Sequence, residues 1–329
     1  MLLRTFAGAV AALSVVVPGL QGPANSQTYP SKTVTIVVPL AAGSGMDVLA
    51  RLYADKLQGK LGTPGVSENK PGAALMLAAA SVATAPPDGH TLVVSTGTVL
   101  AINPVLYKKV NYDPEKDFTP ISFYVKAPFI LVVNPELPVK SVPELIKYAR
   151  ETATPVTFAS LGIGTPLHLA GEYMKPRYNV SLTHVPYRNT GQSLADLVAG
   201  HVNMSFAEVG ATLPLIREGK LRVLAVTSSG RLPSLPDVPT FAEATGDPEF
   251  EQVSWQMLFA PSATPKEIVL HLNREMNEIM ADPEMQKKIN DSGLLPVGTP
   301  SLAEIQKFIA SEREKWGSLL QKLGLQGTQ

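Results

Sequence analysis

Two stretches of this chain hold residues whose types and spacing could do chemistry. The first is Leu40-Ala41-Ala42-Gly43-Ser44-Gly45-Met46-Asp47, between the β-branched run 33–38 and an amphipathic segment. A helix opening there leaves its first N–H groups without intrahelical acceptors, and its dipole adds partial positive charge. Such an end suits an anion. The N–H groups of residues 43–46 would form the cradle, with Asp47 in the first turn. A tight strand-to-helix turn without any ligand fits the same residues.

The second is Ser160-Leu161-Gly162-Ile163-Gly164-Thr165-Pro166-Leu167-His168. Thr165 suits an N-cap and Pro166 the first helical position. Gly162 and Gly164 let the backbone approach a ligand closely. His168, one turn in, either makes a polar contact at a pocket wall or is satisfied by local backbone.

Four further residues follow strand-like runs, where ligands sit in open α/β sheets. Thr96 and Thr98 offer hydroxyls, or form an ordinary Thr turn. Arg188 could pair with a second ligand carboxylate, its fork matching that group, or stand exposed at the surface. Glu208 could accept from a ligand amine or hydroxyl, or be a solvated loop acid.

Catalytic and metal chemistry find little support. His90, His184, His201 and His271 show no metal-ligand spacing. There is no Cys nucleophile and no Gly-x-Ser-x-Gly elbow. The glycines match neither a Walker A run nor a full dinucleotide fingerprint. No catalytic residue, metal or cofactor is expected, and Trp255 and Trp316 read as packing residues. Two anion-type helix starts without a reacting constellation point to a protein that holds a small anion without transforming it.

The elements that must position these residues alternate. Strands are predicted at 34–38, 92–95, 121–125, 129–133, 156–159, 182–185, 202–206, 221–227 and 255–260. Helices are predicted at 48–61, 73–85, 166–174, 192–199, 211–218 and 241–244. Another runs from Ser141 to 150, with Glu144 in the capping-box position. Three more, at 265–281, 283–292 and 301–323, end the chain. The helix at 48–61 has an apolar stripe of Val48, Leu49, Leu52, Tyr53, Leu57 and Leu61. Alternating β and α elements imply α/β architecture with largely parallel sheets flanked by helices.

The N-terminus has a signal-peptide pattern: Arg4, an apolar run 6–17, the break Pro18-Gly19 and the small-x-small site Ala24-Asn25-Ser26. Cleavage after Ser26 leaves roughly 300 residues, enough for two domains. The 28 basic residues balance 28 acidic ones, which argues against a nucleic-acid partner. Without cysteine, stability must come from the core. The expected organisation is a signal peptide at 1–26, a discontinuous first lobe at 27–128 and 252–329, and a second lobe at 129–251. Two crossover strands would join the lobes and let them close over a cleft.

Several segments in one order resemble the periplasmic receptors of tripartite tricarboxylate transporters, the Bug-type solute-binding proteins. They include Pro39 to Asp47, Glu68-Asn-Lys-Pro-Gly-Ala73, Ala101-Ile-Asn-Pro104 and Tyr112 to Phe118. Gly162 to His168, His184-Val-Pro-Tyr-Arg188, Leu221 to Thr227 and Leu235 to Pro239 continue the series. The resemblance implies a two-lobed Venus-flytrap receptor without catalytic activity, located in the periplasm. It would be a monomer that captures a small carboxylate and delivers it to a membrane permease. It also implies that loops 40–47 and 160–168 hold the carboxylate, partly through ordered water. The chain departs from the family pattern at Leu40, Ser44, Ala74-Leu75-Met76 and Ala207-Glu208.

The reading is therefore a periplasmic receptor for an organic mono- or dicarboxylate. A ligand sensor docking to a signalling partner is the alternative among binding proteins. A secreted hydrolase using Ser44 or Ser160 is the rival from another class.

Overall fold

A computed structural model describes residues 29–298 and 300–329. The expected signal peptide lies outside the described residues.

The chain begins with β1 (Val34–Val38), α1 (Gly45–Leu61), β2 (Gly65–Asn69), α2 (Met76–Ala83), β3 (Thr91–Thr96) and α3 (Asn103–Leu106). A 16-residue strand, β4 (Phe118–Val133), follows. Then come α4 (Val142–Glu151), β5 (Val156–Ser160), α5 (Pro166–Tyr178), β6 (Leu182–Pro186), α6 (Thr190–Val198) and β7 (Met204–Glu208). The next group is α7 (Val209–Arg217), β8 (Arg222–Val226), α8 (Phe241–Thr245) and β9 (Val253–Pro261). The chain closes with α9 (Lys266–Ala281), α10 (Pro283–Asp291), β10 (Leu295–Pro296) and α11 (Leu302–Lys322).

The fold is α/β, with a sheet running β2-β1-β3-β9-β4-β7-β5-β6 and helices on its faces. Strand β4 belongs to two regions. Residues 118–128 pair with β9, and β10 joins at Val125 and Lys126; residues 129–133 pair with β7 and β8. The sequence suggests two strands here, at 121–125 and 129–133. They are one strand, because Pro128, which lacks an N–H, keeps its place opposite Val253 instead of ending the ladder. Pairing is parallel within the βα units β1–β2, β1–β3, β5–β6 and β5–β7. Among the described strands, every antiparallel pair involves β4 or β9.

Thr227 fastens both places where the chain crosses between the regions. Its hydroxyl accepts from Phe129 N–H at 2.9 Å. Its carbonyl accepts from Gln252 N–H at 3.1 Å. Thr227 is fully buried, so these bonds are shielded from competing water.

Local chemistry explains other departures from the pattern. Strand β2 escapes detection because Gly65-Val-Ser-Glu-Asn has one β-branched apolar residue and lies at the sheet edge. The predicted helix from 73 starts properly only at Met76. Ala73, Ala74 and Leu75 have φ of 46°, 50° and 71°, left-handed values disfavoured for side chains. In α1, Leu49, Tyr53 and Leu57 are buried as expected, but Val48 is 57% exposed. Glu144 does not complete a capping box on Ser141; it accepts from the N–H of Lys140 at 2.7 Å.

The core divides with the sheet. One cluster packs β1, β3 and α1 against α9 and α10, around Leu57, Leu92 and Leu272. Another packs β4, β5 and β7 against α4, α5 and α8, around Phe158, Phe206 and Phe241. A third cluster joins the regions: Leu169 of α5 meets Leu106 of α3 and Trp316 of α11. Among the described residues, no helix is long and apolar enough to cross a membrane.

Candidate functional site

The first Gly-rich loop is built by local hydrogen bonds. Ser44 is the N-cap of α1; its hydroxyl accepts from Asp47 N–H at 3.2 Å. Asp47 returns the bond, its carboxylate accepting from Gly43 N–H at 2.8 Å. The same carboxylate accepts from Arg51 Nε at 3.0 Å and Asn69 Nδ2 at 2.8 Å. Asn69 also donates to the carbonyl of Leu40, and Ser44 N–H to that of Ala41, so β2 holds the loop in place. The Arg51 bond, helped by Gly43 and Asn69 against burial, lowers the Asp47 pKa to about 2. Asp47 is thus committed to its own loop. The N–H groups of Gly45 and Met46, the first two of α1, have no intrahelical acceptor.

Both residues line a cleft of about 510 Å³. Leu40, Gly43, Ser44 and Val48 share its wall from the first region. Ala127 to Phe129 of β4 and Glu208 to Ala211 at the β7–α7 junction form the wall that faces them. Ser254 and Gln256 of β9, with Ser292 to Leu294 after α10, complete it. The two sides touch where Gly293, at φ 75°, packs on Val209; a Cβ there would lie 2.7 Å from Val209 Cβ. The Tyr124 hydroxyl donates to Gln256 Oε1 at 3.3 Å, orienting that amide.

Glu208 is the last residue of β7, which runs two residues past the expected strand end, and it lines this cleft. Its side chain is exposed to the cleft, and the protein packed around its carboxyl group raises the pKa. It also lines a recess holding no more than one water, shared with Ser160, Leu161 and Leu167. Through Glu208 the second Gly-rich loop adjoins the cleft.

That second loop uses most of its polar groups internally. Thr165 caps α5, accepting from His168 N–H at 3.3 Å and donating to Gly162 O at 2.8 Å. Gly164 N–H donates to His168 Nδ1 at 3.1 Å, while His168 Nε2 lies 3.5 Å from Glu172. Both ring nitrogens of His168 thus have partners close by in the chain. Ser160 Oγ lies 2.7 Å from His184 Nε2, and the His184 and His168 rings are 4.2 Å apart. Burial, then the neighbouring His168, lowers the His184 pKa to about 4. Gly162, at φ 118°, needs its glycine for the turn.

The remaining candidates scatter. Thr96, buried at the end of β3 opposite Gln256, has no hydrogen-bond partner for Oγ1. Thr98 opens the short π-helix Thr98–Ile102 that leads into α3. Arg188 is exposed and outside the cleft wall. Sequence reasoning did not anticipate Gln256, Ser254 or Ser292 to Leu294. A polar residue inside the apolar run 255–260 was the only available signal, and it marked Gln256. Among the described residues no group of acids and histidines could hold a metal ion.

Residues 49–325 match the family model described as the tripartite tricarboxylate transporter family receptor. The chain is 33% identical to protein BugT of Bordetella pertussis over 318 residues, 96% of this chain and 97% of that one. The solved structure of Rpa4515 from R. palustris with adipate superposes with a TM-score of 0.79 at 35% identity, covering 90% of this chain and 98% of that one. MatC from Rhodopseudomonas palustris with bound malate gives 0.73 at 32% identity, covering 89% and 100%. The chain belongs to the tripartite tricarboxylate transporter receptor family, and its two-lobed α/β fold is that of periplasmic binding proteins.

Proposed function

We propose that this member of the tripartite tricarboxylate transporter receptor family is a periplasmic receptor for a small organic carboxylate, which it passes to a membrane permease. The single observation that carries the reading is the start of α1. Two N–H groups without intrahelical acceptors, at Gly45 and Met46, belong to residues that line a cleft between the halves of the sheet. The bound adipate and malate of the two neighbours support a carboxylate as the anion. The lobes are 27–128 with 252–329, and 129–251; they flex where β4 and β9 cross beside Thr227.

One observation favours a hydrolytic reading: the 2.7 Å contact of Ser160 with His184. Ser160 is only 1% exposed, and its hydroxyl also lies 3.2 Å from both the carbonyl and the N–H of Gly162. It serves the turn and has no room for an acyl group. Ser44 is engaged as a helix cap. Binding without turnover is the better reading.

A thermal-shift screen of mono-, di- and aromatic carboxylates on refolded protein tests it. A ligand at a hundredfold excess over its dissociation constant should stabilise by about 2.7 kcal/mol. A panel that leaves the transition unmoved, or ester hydrolysis abolished by Ser160→Ala, would refute it.

A further inference from the structure

Across the cleft from the anion-attracting end of α1 stands a side chain of the ligand's own charge. Glu208 is the only ionisable residue in the described wall, which contains no lysine, arginine or histidine. Glu208 sits at the N-cap of α7 but makes no capping bond with its side chain. Among the described residues no group hydrogen-bonds its carboxylate. Pro128, Phe129, Val209 and Ala211 beside it on the wall are apolar. Its side chain is exposed to the cleft, and no cation on the described wall pairs with it.

The two ends of the cleft differ in charge, because at the start of α7 the full negative charge of Glu208 outweighs the roughly half positive charge of the helix end. The N–H groups of Gly45 and Met46 attract an anion. Glu208 attracts a cation and repels a second carboxylate, since like charges brought together disfavour ionisation of both. Arg188, the one cation expected to read a second carboxylate, is outside the wall. We propose that the cleft takes zwitterions: monocarboxylates whose far end carries a protonated amine, with the carboxylate on the start of α1 and the ammonium on Glu208. This rests on the carboxylate reading given above and narrows it to a substrate class.

Calorimetric titration of the refolded mature chain at pH 7.5 tests it with three probes of one length: hexanoate, 6-aminohexanoate and adipate. The four- and five-carbon series repeat the comparison. At the best length the amine should bind at least tenfold tighter than the methyl-ended acid, and the dicarboxylate should bind weaker than the amine. In Glu208→Gln the first two should fall within threefold of each other, and the dicarboxylate should tighten. Wild-type protein gives a second readout without a variant. As pH falls and Glu208 gains a proton, the amine preference should shrink and the dicarboxylate should tighten. Carboxylates that bind with no amine preference at any length overturn the inference and leave carboxylate capture standing. So does a dicarboxylate that binds tightest to wild type. If no carboxylate binds at any pH, both fail together.

Discussion

Gly164 and Leu106 interlock across the boundary between the two halves of the molecule. A Cβ on Gly164 would lie 2.1 Å from Leu106 Cδ2, and Gly164 holds φ at 77°. The absent side chain leaves room for a leucine of α3, within the cluster that also includes Leu169 and Trp316.

Gly164→Ala should therefore destabilise the protein by about 1–3 kcal/mol, through overpacking and backbone strain. The same change made in Leu106→Ala should cost at least about 1 kcal/mol less, because the clashing methyl is gone. Urea melts of the four proteins in this cycle measure the coupling. Additive costs would mean that Leu106 does not fill the space beside Gly164.

Asp47 clamps the first loop from within. Asp47→Asn should lose about 1–3 kcal/mol of stability at neutral pH, since Gly43 N–H and Arg51 lose a charged acceptor. Carboxylate affinity should fall with it, because the loop that presents Gly45 and Met46 loosens. The sign of the pH effect follows from the lowered pKa. The contribution is complete above 3.8, the ordinary value, and disappears as pH falls through about 2. Acid titration of stability, wild type against variant, should show the two curves converging only in that window.

His184 acts in a different window. Its pKa is lowered from 6.5 to about 4 by burial and by His168, with Phe158, Glu172 and Lys175 around the pair. A histidine kept neutral in the fold stabilises fully above pH 6.5, and this is lost as pH falls toward 4 because the unfolded chain takes up the proton first. His184→Gln keeps a polar partner for Ser160 and removes the titration. Its stability should drop less than that of wild type between pH 7 and pH 4. Equal drops in urea melts would show that His184 is not the group responsible.

Glu312 holds the two tryptophans together. Its Oε2 accepts from Trp255 Nε1 and from Trp316 Nε1, each at 2.9 Å, deep in the protein. Glu312→Leu should cost about 2–5 kcal/mol, because two buried indole N–H groups lose their acceptor. Glu312→Gln, which keeps one carbonyl oxygen there, should cost less than half of that. The chain has only two tryptophans, so fluorescence during denaturation reads this site directly. Near-equal stability of wild type and Glu312→Leu would contradict the arrangement.

What the sequence determined by itself was local. The α/β alternation, the caps of α1 and α5 and the Gly-rich turns all rest on contacts between residues three or four apart. Ser44 with Asp47, Gly43 with Asp47, and Thr165 with His168 are such pairs. Spacing along the chain encodes them because the helix start itself brings the groups together. The resemblance to a receptor family extended that reading to the whole chain. What only the tertiary structure decided was which of these features meet. Arg188 and Glu208 both follow predicted strands and looked alike in the sequence, yet only Glu208 reaches the cleft. Asn69 clamps Asp47 from 22 positions away, and Leu106 of α3 finds Gly164 just before α5. Such contacts have no period to read. They depend on strand order and register, where a slip of one residue sends every side chain to the opposite face.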